Sequence, residues 1–294
     1  MAAPTSAGRA APFDAAAGAY DASFTQRPLG RLLRTAVWRH LDAAFRPGDR
    51  VLELGCGTGE DAVHLAQRGI EVLALDASAA MLARAREKVR AAGVAGRVQL
   101  AQLDLSRHSL EHVLVAAGSA PGCGPFDGAF SSFGALNCLP DRRALAASLA
   151  DWVRPGGRVV LVLMSPLCPW EIGWHLAHGQ PRRALRRLTA GRAGTVAHTG
   201  GGASTRVWYP TPRRLCAEFA PTFRPVTTAG IGVLLPPSYL AGLVERWPRA
   251  AAHLARLEDR IAGRFPWTWL NDHYLVVLER SAGPVGRRDG RDAR

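Results

Sequence analysis

Apolar residues recur at Leu29, Leu33, Val37, Leu41 and Phe45, with Leu32 and Ala36 alongside. Steps of three and four match the 3.6-residue period of a helix with one buried face, and Pro47-Gly48 ends it. Beyond residue 50 the pattern changes to short apolar runs alternating with amphipathic stretches. The runs are Val51–Leu54, Val72–Asp76, Val98–Ala101, Phe126–Ser131 and Val159–Met164. Between them Asp61–Gln67, Ala79–Ala92, Ser106–Ala117 and Asp141–Trp152 predict helices. Ser78 is placed to cap the second of these, and Gly93 and Gly96 bracket its end. Strand and helix in strict alternation predict a parallel sheet covered on both faces.

After Ser165 the rhythm breaks. Pro169–His178 and Arg182–Leu188 read as helices, and Gly194–Trp208, centred on Gly200-Gly201-Gly202, reads as a hairpin. Thr211–Phe219 predicts a helix, Pro225–Ala229 a sixth strand, Pro236–Phe265 more helix, and Tyr274–Glu279 a last strand. Upstream, Phe13-Asp14 and Tyr20-Asp21 sit in a second short amphipathic piece.

Composition narrows the class. With 48% apolar residues among 294, the chain can bury a sizeable core. It has no run of 18 apolar residues, which argues against a membrane span. The Ala/Pro/Ser-rich start lacks a long apolar centre and reads as a disordered leader. Cys56, Cys123, Cys138, Cys168 and Cys216 are scattered, with no CxxC pair. That pattern points to reduced thiols, a cytoplasmic location and no metal site. The net charge of +13 would suit nucleic acid, but Lys88 is the lone lysine among 37 basic residues. An arginine- and alanine-rich coding bias accounts for the charge without a nucleic-acid partner.

The chemistry concentrates after the first strand. Gly55, Gly57 and Gly59 follow it at alternate positions and lead into a helix. Glycine lets the chain turn sharply and a ligand approach the backbone, and the helix start offers free N–H groups. Asp76 ends the second strand about 20 residues on, where an acid would hold a ribose. A dinucleotide fingerprint would want Gly or Ala three places after the second glycine. That place holds Glu60, which argues against a nicotinamide dehydrogenase.

Glu53, Gly55, Gly57 and Gly59 spell E-x-G-x-G-x-G, which resembles the first motif of the class I S-adenosylmethionine-dependent methyltransferases. The resemblance runs from Arg50 to Met164 and includes the x-P-G-G at Pro155-Gly156-Gly157 before a strand. It implies an α/β fold, a Rossmann-like doubly wound seven-stranded sheet. Helical and hairpin lid insertions would follow strand five and separate strands six and seven. The implied segments are a leader (1–11), a helical cover (12–48), a cofactor-binding core (49–165), a lid insertion with hairpin (166–223), C-terminal strands with a helical insertion (224–281) and a basic tail (282–294).

The resemblance implies S-adenosyl-L-methionine as cofactor, held by Glu53, Gly55, Cys56, Gly57, Gly59, Asp76 and Ala77. Asp104 and Leu105 would flank the adenine and Met81 pack on its face, although Met81 reads equally as core. Ser131 and Ser132 would face the methionine end. Tyr20 and Arg34 match residues that relatives place near the cofactor carboxylate; a surface Tyr and Arg would read the same. Ser131-Ser132-Phe133-Gly134 is not the D/N/S-P-P-Y/F/W element of DNA base methyltransferases, and Pro236-Pro237-Ser238-Tyr239 comes about a hundred residues too late to be it.

His108-Ser109-Leu110-Glu111-His112 spells H-x-x-E-H, but an outer crossover helix with no third ligand makes two surface histidines the better account. His273, oriented by Asp272 at the head of the last strand, is the strongest candidate base for an acceptor hydroxyl, against the alternative of a structural histidine. His40, His175 and Tyr209 rank behind it. Six tryptophans (170, 174, 208, 247, 267, 269) and eight arginines with no acid between Glu171 and Glu218 lie in the second half. They suit an apolar or anionic small-molecule acceptor; a lid's own core and coding bias would look alike. The expected activity is methyl transfer to O, N or C of a small molecule, a secondary metabolite or lipid-like compound. The rivals are a nucleic-acid or protein methyltransferase and a non-catalytic cofactor-binding scaffold.

Overall fold

The protein is described by a computed structural model over residues 11–108, 110, 111, 114, 126–200 and 202–282. The leader and the basic tail fall almost wholly outside the described residues, as do Cys123, Ser109 and His112.

In chain order the strands are β1 (Arg50–Leu54), β2 (Glu71–Asp76), β3 (Val98–Gln102), β4 (Phe126–Ser131), β5 (Val153–Met164), β6 (Thr195–Gly200), β7 (Ala203–Val207), β8 (Phe223–Ile231) and β9 (His273–Arg280). Seven of them form one sheet in the order β3-β2-β1-β4-β5-β9-β8, and β6 and β7 form the separate expected hairpin. The first five sheet strands are parallel, while β9 runs antiparallel between β5 and β8. This is the Rossmann-like seven-stranded arrangement. The carboxyl ends of β1, β2, β4 and β5 therefore share an edge with the start of β9 and the end of β8.

Side chains alternate across the pleat and so feed two cores. Val51, Val72, Ala74, Val160, Val162, Leu275 and Val277 face one layer. That layer contains α1 (Pro28–Ala44), α2 (Glu60–Gln67) and α3 (Ala79–Ala91). Leu52, Leu54, Leu73, Leu75, Leu161, Leu163 and Val276 face the other. There they meet α4 (Arg143–Trp152), helical Leu110 and Leu114, and a later helix bearing Leu215 and Phe219. Leu29, Leu33, Val37, Leu41 and Phe45 are all buried, as their spacing predicts.

Two strands differ from the sequence pattern. β5 starts at Val153, six residues before the apolar run, because Pro155-Gly156-Gly157 loops out as a bulge and does not end the pairing. The register jumps from Phe126↔Val153 to Gly128↔Arg158. β8 also extends on both sides of Pro225–Ala229. Proline offers no N–H to a ladder, so the register slips between Pro225 and Thr227 on this edge strand.

The second half adds α5 (Pro169–Ala177), α6 (Pro181–Ala184), α7 (Arg186–Thr189), α8 (Pro212–Phe219), α9 (Ala241–Arg246) and α10 (Pro248–Ile261). The insertion between β8 and β9 packs on α1: Ala241, Val244 and Ala251 are buried in the core that α1 builds. Glu258 fastens it, accepting the N–H groups of Gly232 (2.7 Å) and Leu234 (2.9 Å) just past β8. Among the described residues no helix is long and apolar enough to cross a membrane.

One buried ion pair joins the opposite layer. Arg142 is fully buried and donates to both oxygens of Glu218 on α8, at 2.6 and 3.0 Å. Its Nη1 also donates to the carbonyls of Leu136 and Leu139, in the loop after β4. Removing one partner of such a pair strands the other charge, at a cost of about 3–5 kcal/mol. Arg214 also donates to Glu218, which favours the lower end. Arg142→Met should therefore lower the stability read from urea unfolding by about 3 kcal/mol. Arg142→Met combined with Glu218→Gln should recover part of that loss; a double variant no more stable than the single one would contradict this account.

Candidate functional site

The glycine turn follows β1 and is tied to β2, with the N–H groups of Gly55 and Cys56 donating to Leu75 O at 2.8 and 2.9 Å. A Cβ on Gly55 would lie 2.3 Å from Cβ of Ala135, and one on Gly59 2.9 Å from Cβ of Ala85 in α3. Both glycines thus permit close packing. Gly57 differs: φ is +53° and a Cβ would meet nothing within 4 Å, so it would project into open space beside the turn. Such a bare backbone surface fits a ligand lying against it.

Asp76 stands at the end of β2. One oxygen accepts from Gly57 N and the other from Ser78 N, both at 2.8 Å. Burial raises its carboxyl above the ordinary value, and those N–H groups oppose the rise. A carboxylate accepts about four hydrogen bonds, so both oxygens retain capacity for hydroxyl donors. Ser78 caps α3 by accepting from Met81 N at 3.0 Å, and Met81 is buried. Ala77 O accepts from Gln102. Asp104 lies past β3 and is engaged locally, accepting from Ser106 and pairing with Arg107; Leu105 beside it is half-buried.

Glu53 is buried inside β1, and its Oε2 has no hydrogen-bond partner. Burial pushes its carboxyl well above the usual range, Asp61 pushes the same way and Arg34 opposes. Cys56 is also buried, with its thiol raised for the same first reason. Arg34, on α1, donates to Asp61 Oδ1 at 2.7 Å, and its guanidinium lies 5.0 Å from the centre of the Phe133 ring. Tyr20 is half-buried near Phe24, and burial raises its phenol. The stretch around Tyr20 is held onto the turn: Asp21 accepts from Thr58 (2.7 Å) and Lys88 (3.0 Å). A cleft of about 500 Å³ opens beside it, lined by Asp21, Thr25, Arg34, Trp38, Glu60 and Lys88 among others.

The loop after β4 closes the site. Ser131 spends its hydroxyl on Leu54 O (2.7 Å), whereas Ser132 Oγ is buried without a partner. Phe133 adopts φ 51°, a left-handed conformation unusual for an aromatic residue. Asn137 locks the loop, accepting from Met164 N (2.8 Å) and donating to Trp208 O (2.6 Å). The Phe133 ring meets His273 edge-on at 5.8 Å.

His273 Nδ1 lies 3.1 Å from Asp272 Oδ2, close enough to pair but not aligned as a hydrogen bond. Burial pushes the Asp272 carboxyl up, but the charges of His273 and Arg187 outweigh it and hold the group well below the usual range. Of the other sequence candidates, His40 sits near the end of α1 beside Arg39 and Asp259, with burial lowering its pKa. His175 pairs with Gln180, and Tyr209 lies under Arg187. The loop that holds Phe133 and Asn137 is expected at the methionine end from the sequence, but neither side chain is named as a site residue there, nor are Lys88 and Arg187; each acts through a fold contact that no local motif marks.

Among the described residues the buried side-chain atoms without partners are Arg34 Nε, Glu53 Oε2, Ser132 Oγ, Asn271 Oδ1 and His273 Nδ1. Buried polar atoms are normally paired, so this concentration about one edge of the sheet fits a polar ligand. Glu53 makes the point testable. With its folded-state pKa raised, the ionised form costs stability above the ordinary glutamate pKa of about 4.3 and not below it. Glu53→Gln should therefore raise the melting temperature of the ligand-free protein, more at neutral pH than near pH ~4. An equal shift at both values would show that Glu53 carries no such penalty.

Residues 51–157 match the family described as "Methyltransferase domain". Trans-aconitate 2-methyltransferase of Deinococcus radiodurans is 39% identical over 137 residues, 45% of each chain. Demethylmenaquinone methyltransferase of Beutenbergia cavernae is 34% identical over 164 residues, 54% of this chain and 60% of that one. The chain thus spans about half the length of these curated relatives. The CcbJ methyltransferase from Streptomyces caelestis is similar in fold, with a TM-score of 0.56 over 93% of this chain and 99% of that one at 19% identity. Taken with the glycine turn, the acid after β2 and the strand order, these matches show that the chain has the class I S-adenosylmethionine-dependent methyltransferase fold, with S-adenosylmethionine as its cofactor.

Proposed function

We propose that the protein is a methyltransferase acting on a small molecule with an apolar or planar body, with His273 as the general base. The observation that carries this reading is the placement of an Asp272–His273 pair at the sheet edge that also bears the glycine turn, one phenylalanine ring from the Ser132 loop. The bound cofactor supplies a methyl group already activated on a sulfonium for in-line displacement. Gly57 gives it a bare backbone to lie on, and Asp76 takes the ribose hydroxyls. Glu53 and Ser132 offer their unpaired atoms to the methionine end. His273 Nε2 makes no hydrogen bond among the described residues; it accepts the proton of an acceptor hydroxyl while Asp272 faces Nδ1 and steadies the cation formed.

The acceptor's body fits a groove of about 640 Å³ lined by Pro169, Trp170, Trp174, Val233, Leu234 and Trp267 among others. Among the described residues no charged side chain lines it, and it opens just past Ile231, the β8 residue paired with His273. An uncharged wall of indoles favours an apolar or flat occupant. Among the sequence relatives, those named for trans-aconitate and demethylmenaquinone suit a small-molecule acceptor, while others are named for 23S rRNA and protein L-isoaspartate, so the reading rests on the groove and not on the names.

Calorimetric titration with S-adenosylhomocysteine tests the cofactor half, with NADH as control. Asp76→Ala should weaken binding roughly 10- to 100-fold, the loss of hydrogen bonds to one charged group, and Gly57→Ala should weaken it as well. Parent-like affinity in both would overturn the assignment. Labelled methyl transfer to a panel of phenols, quinones and prenylated acids tests the rest. His273→Gln should lower kcat about 10²- to 10⁴-fold on a hydroxyl acceptor while cofactor affinity stays unchanged. Full turnover by that variant would remove His273 from the chemistry.

A further inference from the structure

Arg187 lies on α7, within an arginine-rich stretch, yet its side chain is only 8% exposed. Its guanidinium is engaged on every side. Nε and Nη2 donate to Glu171 Oε2 at 3.0 and 2.7 Å. Nη2 also donates to Asp272 Oδ1 at 2.7 Å, and Nη1 donates to Asp272 O at 3.0 Å and Ser165 O at 3.2 Å. One residue of the 166–189 segment thus clamps the side chain and main chain of Asp272, together with the carbonyl just past β5. Asp272 Oδ1 is taken up by the arginine, and Oδ2 is left 3.1 Å from His273 Nδ1.

We propose that Arg187 is a positioning residue for the reaction: it fixes Asp272 so that Oδ2 stays within 3.1 Å of His273 Nδ1, leaving Nε2 as the nitrogen turned to the acceptor. The proposal rests on His273 as the base. An imidazole exposes a lone pair on the nitrogen that does not carry the proton, and the partner of the other nitrogen selects which one that is. A carboxylate free to swing selects poorly. One held by a hydrogen bond from a guanidinium that also grips the main-chain carbonyl of the same residue, and is itself held by Glu171, selects well.

Charge balance gives the same residue a second effect. Glu171 and Asp272 are buried and share one buried cation; Arg186, which reaches Glu171 Oε1 at 3.3 Å, is partly exposed. Three further titratable groups facing this pair among the described residues add no charge at neutral pH. Burial pushes the Cys168 thiol up to about 12 and raises the Tyr209 and Tyr239 phenols. Arg34, across the Phe133 ring, is fixed in its own pair with Asp61. With the Arg187 charge gone, Asp272 is left with His273 beside it at 3.1 Å as its partner, and the imidazole holds its proton more tightly.

The test needs no acceptor. The protein is labelled at its histidine ring carbons and nitrogens, loaded with S-adenosylhomocysteine, and followed by NMR across about pH 5 to 8, where histidine titrates. The His273 signal is identified by its absence in His273→Gln. Arg187→Met is expected to raise the His273 titration midpoint by about one unit and to mix the two ring tautomers, with S-adenosylhomocysteine affinity unchanged. Arg187→Lys keeps the charge but loses the fork, so it should move the midpoint less and still mix the tautomers; it serves if the methionine variant does not fold. A parent-like midpoint in Arg187→Met, or a parent-like tautomer in Arg187→Lys, would overturn the role of Arg187. Retained turnover in His273→Gln would instead remove the base itself, so the two failures are separate.

Discussion

The loop after β4 can lie on the turn after β1 only because Gly55 has no side chain. A Cβ there would sit 2.3 Å from that of Ala135, far inside contact. Once the two loops touch, the rest of the edge follows. Ser131 bonds to Leu54 O, Gly134 N to Val162 O, and Asn137 to the main chain at Met164 and Trp208. Arg142 holds the carbonyls of Leu136 and Leu139 from behind. Pinned at both ends, Phe133 is driven to φ 51°, at a cost of roughly 1–2 kcal/mol for a residue with a Cβ. That conformation carries its ring between Arg34 and His273. A steric allowance at one glycine thus reaches the far side of the site through packed contacts.

The two sides of that ring are electrostatically unlike. On the glycine-turn side Glu53 and Asp76 are raised by burial, and the nearest buried cation, Arg34, is already paired with Asp61. Carboxylates left short of positive charge are stabilised by a ligand that brings some, which suits the cationic methyl donor proposed for this side. On the His273 side Asp272 is held low by its partners. The first side is arranged to take up a cation and the second to keep a carboxylate ionised beside an imidazole.

The sheet was legible because its signal is local. The central parallel strands β1 and β2 are buried on both faces over most of their length, so they read as short, largely apolar runs, and Val51–Leu54 and Val72–Leu75 stand out on that ground. The glycine turn and Asp76 were legible for a similar reason, since their chemistry depends on residue type and spacing. β5 was read six residues short because Pro-Gly-Gly signals a turn whether it ends a strand or bulges out of one. The insertion before β9 showed helical periodicity, but nothing in its pattern told that Ala241, Val244 and Ala251 would complete the α1 layer, because the partner of an apolar face is set by topology.

The second half shows most sharply what a sequence withholds. Eight arginines between Glu171 and Glu218 look interchangeable in composition, and coding bias explains their number. Burial separates them. Arg182, Arg183 and Arg186 of that run lie exposed, where a charge contributes little to stability, while Arg187 is enclosed with two carboxylates. A buried guanidinium is tolerated only where its N–H groups are met, so the surroundings of Arg187 had to be built around it. Glu171 and Asp272 supply those surroundings from 16 and 85 residues away. Such a separation leaves no motif to read, and folding alone brings the three together beside the imidazole.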